Sequence, residues 1–169
     1  MSAAENLRDL MLRAPRLTVS VAESLTCGRL QSRMGSISGA SDFLLGGVTA
    51  YSLEQKVRLL GVDRAEADAT NCVSQRIAEQ MARGACVLFG SDVGVSTTGY
   101  AEPSPRWSVA EPFAWWSLAH RGPGCDFSVV SGRVDCPGLG RVDVQERVAG
   151  AAYEALCGWL RERASGRSR

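Results

Sequence analysis

The chain has 169 residues, 45% hydrophobic and 22% charged, with a net charge of +1. That length suffices for one domain with a self-sufficient core, and the near-neutral charge offers no field to attract nucleic acid or a membrane surface. No run approaches the ~18 apolar residues of a membrane span, and the N-terminus lacks a signal peptide's apolar stretch, so the expected setting is cytoplasmic.

The first 15 residues predict a short amphipathic helix with Leu7, Leu10 and Met11 on one face. Leu17–Ala22 is an apolar, β-branched run ending at Glu23-Ser24 and predicts a buried strand. Thr26–Met34 has helical character and Gly35–Gly39 reads as a loop. Ser41 or its neighbour then caps a helical turn, SDFLL, ended by Gly46-Gly47. Val48–Tyr51 predicts a second strand, Ser52–Leu60 a helix stopped by Gly61, and Ser74–Phe89 a longer helix stopped by Gly90. Asp92–Thr97 predicts a third buried strand running into Thr98-Gly99, and the proline-bearing stretch Tyr100–Glu111 a loop. Phe113–His120 and Asp126–Asp135 predict two antiparallel strands around Arg121–Gly124. Val142–Arg163 predicts a closing helix, with residues 164–169 a frayed tail. The mixture predicts a single α/β domain over residues 1–169: a three-layer α/β/α sandwich with a mixed parallel/antiparallel sheet.

Six cysteines occur without a C-x-x-C pair and beside a single histidine, which argues against zinc. Reduced, buried thiols are expected, with no metal and no cofactor.

Eighteen of the nineteen basic residues are arginine, and Lys56 is the only lysine. Arginine can replace lysine on a solvated face but not as a proton acceptor, because guanidinium keeps its proton in proteins. Ser52 and Gln55 form the S-x-x-Q capping box, which places Lys56 in the first turns of a helix. The positive end of the helix dipole disfavours an ammonium there and biases the side chain toward its basic form. Composition alone leaves a solvated surface lysine equally open.

Three places suit a nucleophile: Ser24 at the end of the first strand, Ser41 after the Gly/Ser loop, and Thr97-Thr98 at the end of the third strand. Ser24 and Thr98 lie at carboxyl ends of strands, where open α/β sheets bind ligands. Ser41 sits at a helix N-terminus, whose free N–H groups could hold an oxyanion. Each serine could equally serve as a cap. Glu23 and Asp42 could polarise a water, and a Ser-His hydrolase would have to use His120.

Ala22-Glu23-Ser24-Leu25-Thr26-Cys27-Gly28 resembles the A-E-S-C-T-G-G opening of the competence/damage-inducible protein (CinA) C-terminal domain family. Gly39-Ala40-Ser41, Gly47–Ser52, Glu54-Gln55-Lys56, Leu60-Gly61-Val62, Val73-Ser74 and Ser96–Gly99 follow in that family's order and spacing. The resemblance implies a hydrolase of the carboxamide of nicotinamide mononucleotide, with Ser41 as nucleophile, Lys56 as base and Tyr51 as supporting hydroxyl. Ser24, Thr26, Thr98 and Gly99 would line the nucleotide pocket, Arg141 would contact phosphate, and the chain would be a homo-oligomer.

The sequence departs from the family after Gly99. Tyr100–Trp107 replaces a glycine-rich stretch and brings Glu102 toward the expected phosphate pocket, while Leu25 and Cys27 alter the opening motif. The altered loop and the cluster Trp107, Phe113, Trp115 and Trp116 would also suit a catalytically weak nucleotide-binding or protein-interaction module.

Overall fold

In the computed structural model, residues 6–166 are described, apart from the side chain of Cys125. α1 (Leu7–Leu12) starts where the Asn6 side chain accepts the Asp9 N–H, and its Leu7, Leu10 and Met11 are buried as their spacing predicts. β1 (Val19–Glu23) is buried at every position, as expected of a strand covered on both faces. α2 (Arg29–Gly35) follows a turn, and a 3₁₀ turn over Ala40–Asp42 leads into β2 (Leu44–Thr49).

β2 corrects the reading of SDFLL as a helical turn stopped by Gly46-Gly47. Both glycines lie inside the strand, where a Cβ on Gly46 would meet the Phe89 ring and one on Gly47 would meet Val21 and Gln31. Parallel pairing with β1 (Ser20 with Gly46, Glu23 with Thr49) overrides the weak strand propensity of Leu44–Gly47.

α3 (Leu53–Leu60) begins at the predicted cap, the Ser52 hydroxyl accepting the Gln55 N–H, and ends at Gly61 in the left-handed region. α4 (Arg64–Thr70), unforeseen from the sequence, is capped by Asp63, whose carboxylate accepts the Glu66 N–H. α5 (Gln75–Phe89), β3 (Val93–Tyr100), β4 (Phe113–Arg121), β5 (Phe127–Asp135) and α6 (Arg141–Ala164) complete the chain.

The sheet order is β2-β1-β3-β4-β5. β1 runs parallel to β2 and β3, while β3/β4 and β4/β5 are antiparallel, giving the expected mixed sheet. On one face Val19, Val21, Val95 and Leu118 pack with α1, α2 and α6 through Leu10, Met34 and Leu156. On the other, Ala22 packs with Leu60, Ile77 and Met81 of α3 and α5. The three layers are therefore helix, sheet and helix. Among the described residues, no helix is long and apolar enough to cross a membrane.

Candidate active site

β1, β2 and β3 all leave the sheet at the same edge, and the strand order reverses about β1. The carboxyl end of β1 is thus a topological switch point, where open α/β sheets leave a crevice. Ser24 is the first residue beyond β1, and its N–H donates to the Thr97 carbonyl at 3.1 Å. Lys56, in the first turns of α3 just beyond β2, comes to the same edge. Its Nζ donates to the Ser24 Oγ at 3.0 Å and to the Tyr51 carbonyl at 2.9 Å.

Both partners are buried, Lys56 at 2% exposure and Ser24 at 8%. Burial pushes the Lys56 ammonium below the usual lysine range, and the Cys72 thiol acts weakly in the opposite direction. The shift runs in the direction the helix-dipole argument anticipates, with burial as its largest cause.

The expected partner Ser41 is elsewhere. It lies exposed in the 3₁₀ turn before β2, and β2 starts by pairing with Val19 at the opposite end of β1. About five residues of strand at ~3.3 Å each separate the two ends, so Ser41 and Lys56 stand on the order of 15 Å apart. Ser24 takes the position that Ser41 was expected to fill. Asp42, beside Ser41, pairs with Arg8 at 2.7 Å.

The remaining predicted residues divide in two. Tyr51, Thr98, Gly99 and Arg141 line a cleft of about 450 Å³ with Ser24 and Lys56, within the usual range for small-molecule sites. Thr98 donates its hydroxyl to the Cys72 carbonyl at 2.6 Å. A Cβ on Gly99 would stand 2.5 Å from the Ala114 backbone of β4, so close strand packing requires glycine there. Arg141 donates to Glu102 at 3.0 Å and to the Tyr51 hydroxyl at 2.6 Å, so its guanidinium already has two partners.

Thr26 does not face the cleft. It is fully buried, and its hydroxyl shares a 2.7 Å hydrogen bond with that of Thr97. Glu23 is also committed, its buried carboxylate accepting the N–H groups of Gly28, Leu30 and Gln31 at the start of α2. His120 pairs with Val93, at the end of β3 remote from Thr98-Gly99, and rests 5.1 Å from the Trp159 ring. That position keeps His120 away from Ser24, Lys56 and Thr98. Among the described residues no three His, Cys, Asp or Glu side chains gather as metal ligands.

Cys72, Arg106 and Gln145 carried no site expectation from the sequence, and Trp107 only that of an aromatic cluster. Cys72 lines the cleft beside Lys56 with φ +60. Arg106 and Trp107, both exposed, line the same cleft. Gln145 of α6 donates to the Leu25 carbonyl at 2.7 Å, bracing the turn after Ser24. Only the loop's departure from the family pattern signalled Arg106.

Comparison with known proteins agrees with this fold. The family model described as the CinA C-terminal domain matches residues 2–160. A CinA-like protein of Chlorobaculum tepidum is 50% identical over 88 residues, covering 52% of this chain and 21% of that protein. One from Picosynechococcus is 45% identical over 113 residues, covering 67% and 27%. The chain thus spans about a quarter of the length of these curated relatives. Among solved structures, a CinA superfamily protein from Klebsiella pneumoniae superposes with a TM-score of 0.78 at 24% identity, covering 94% of this chain and 99% of that one. A second, from Enterobacter cloacae, gives 0.77 at 25%, covering 91% and 88%.

Proposed function

The chain belongs to the CinA C-terminal domain family, and from that premise we propose that it is an amidohydrolase working through a Ser24–Lys56 dyad. The observation that carries this reading is the 3.0 Å contact between the Ser24 hydroxyl and a buried lysine at the floor of the cleft. The resemblance supplies the substrate, nicotinamide mononucleotide or a related nucleotide amide, cleaved to the acid and ammonia.

Neutral Lys56 takes the proton of Ser24 as its Oγ attacks the amide carbon. The oxyanion falls to the backbone N–H of Leu25, which directly follows the nucleophile, lines the cleft and donates to no described residue. The Lys56 ammonium then protonates the amide nitrogen, so that the C–N bond breaks and ammonia leaves, and water, deprotonated by the same amine, hydrolyses the acyl-enzyme. Tyr51 serves in two ways: its carbonyl holds Lys56, and its hydroxyl, fixed by Arg141, orients the substrate. The chemistry requires no metal or cofactor.

The described cysteines are free, four of the five being buried, which supports a reducing, cytoplasmic setting. Self-association as a homo-oligomer rests on the resemblance.

Ammonia release from nicotinamide mononucleotide tests the reading. Ser24→Ala and Lys56→Arg are expected to lose at least ~10²-fold in kcat, the usual contribution of a general base, while Ser41→Ala and His120→Ala keep most activity. Full activity in Lys56→Arg would refute the dyad. Saturable binding by the wild type without turnover would favour a nucleotide-binding module instead.

A further inference from the structure

Three cations line the cleft: Lys56, Arg141 and Arg106. Lys56 is buried against Ser24, and Arg141 is held by Glu102 and the Tyr51 hydroxyl. Arg106 is exposed and makes no hydrogen bond or ion pair with any described residue. It is therefore the cleft cation, among the described residues, whose charge and donors stay available to a ligand.

Its loop is preformed. Ser104 and Val109 exchange backbone hydrogen bonds of 2.9 and 3.0 Å, Trp107 N–H donates to the Ser104 carbonyl at 3.1 Å, and Ser108 N–H donates to the Pro105 carbonyl at 3.1 Å. Pro105 fixes the first position of the 3₁₀ turn, and Ser108 closes it in the left-handed region at φ +54. Arg106 and Trp107 are thus carried to the cleft on a closed turn whose backbone needs no ordering on binding. Trp107, 37% exposed, adds an aromatic side chain to the same cleft lining.

We propose that Arg106 forms the anion subsite of the cleft, and that it selects substrates carrying a phosphate at the end away from the amide. The proposal rests on the amidase reading only for the orientation of the ligand, amide toward Ser24 and phosphate toward Arg106. It moves the expected phosphate contact from Arg141, which Glu102 neutralises, to a residue of the rebuilt loop. Planar guanidinium suits this role, because its N–H pairs match two phosphate oxygens at once.

Calorimetric binding of nicotinamide mononucleotide and of nicotinamide riboside, which lacks the phosphate, tests the proposal in the Ser24→Ala background. With Arg106 intact, the mononucleotide should bind roughly 10- to 100-fold more tightly than the riboside, the span expected of a charge-assisted contact. Adding Arg106→Ala should reduce that preference to within about threefold, leaving riboside affinity nearly unchanged. A preference that survives Arg106→Ala, or that disappears instead in Arg141→Ala, would overturn the assignment, as would failure to bind the mononucleotide. Ammonia release by the otherwise wild-type chain separates the two readings. An Arg106-dependent phosphate preference without turnover upholds the subsite and sinks the amidase. Turnover with no change in KM on Arg106→Ala does the reverse.

Discussion

Lys56 is costly to keep: 2% exposed, its described partners are a hydroxyl and a carbonyl, with no carboxylate to neutralise it. Burial lowers its pKa in the fold. Between that lowered value and the unfolded one near 10.4, the unfolded chain binds more protons, so folding stability rises with pH through this window. Lys56→Met removes the penalty. The variant should melt higher than the wild type near neutral pH, with the difference shrinking as pH approaches about 10, while ammonia release is abolished. If Lys56 is the base of the proposed dyad, kcat should rise with pH along a limb governed by loss of its proton, centred below the ordinary lysine value of about 10.4.

Cys27 shows a second residue-scale effect. It sits at φ +52, where the family opening has glycine, and a left-handed non-glycine residue costs about 1–2 kcal/mol. Glycine gives back part of this through its looser unfolded state, so Cys27→Gly should raise stability by up to about 1 kcal/mol in urea unfolding. Lys56 was singled out in the sequence as the one lysine, just beyond the Ser52 cap, but its burial was not: a solvated surface position stayed equally open. Its serine partner was not singled out either. Ser24 and Ser41 are chemically alike and both follow structural breaks, and only strand pairing decides which one meets the lysine.

Among the elements, α3 carries Lys56, the proposed base, and its Ser52 cap holds the first turn in which Lys56 lies. Ser52→Ala should cost about 1 kcal/mol of stability and lower kcat by loosening that turn. Most elements were readable from periodicity and punctuation: Ser52, Ser74 and Gly61 stand where caps and stops were expected. β2 was misread because Gly46-Gly47 resembles a helix stop, and nothing local reports that Val21, Gln31 and Phe89 press on those glycines. α4 left a legible signal that went unused, the D-x-x-E cap of Asp63 and Glu66.

For the whole molecule, alternating strands and helices foretold three layers and a mixed sheet but not the order of its strands. That order matters most for function. It places β2 and β3 on either side of β1 and so sends Ser24, Lys56 and Thr98 to one edge and Ser41 to the other. Distant segments then finish the site. Gln145 reaches across 120 positions of sequence to brace the Leu25 carbonyl, in a buried contact. Gln145→Leu should keep the packing but leave that carbonyl unpaired, costing about 1–3 kcal/mol and lowering kcat through the turn that carries the oxyanion donor.

The pairing of Ser24 with Lys56 is most directly tested by peptide mass spectrometry after reaction with a fluorophosphonate, which bonds to an activated serine oxygen as fluoride leaves. The adduct should fall on Ser24, form faster as pH rises, and disappear in Lys56→Arg. An adduct on Ser41, or one on Ser24 whose rate ignores Lys56→Arg, would contradict the account.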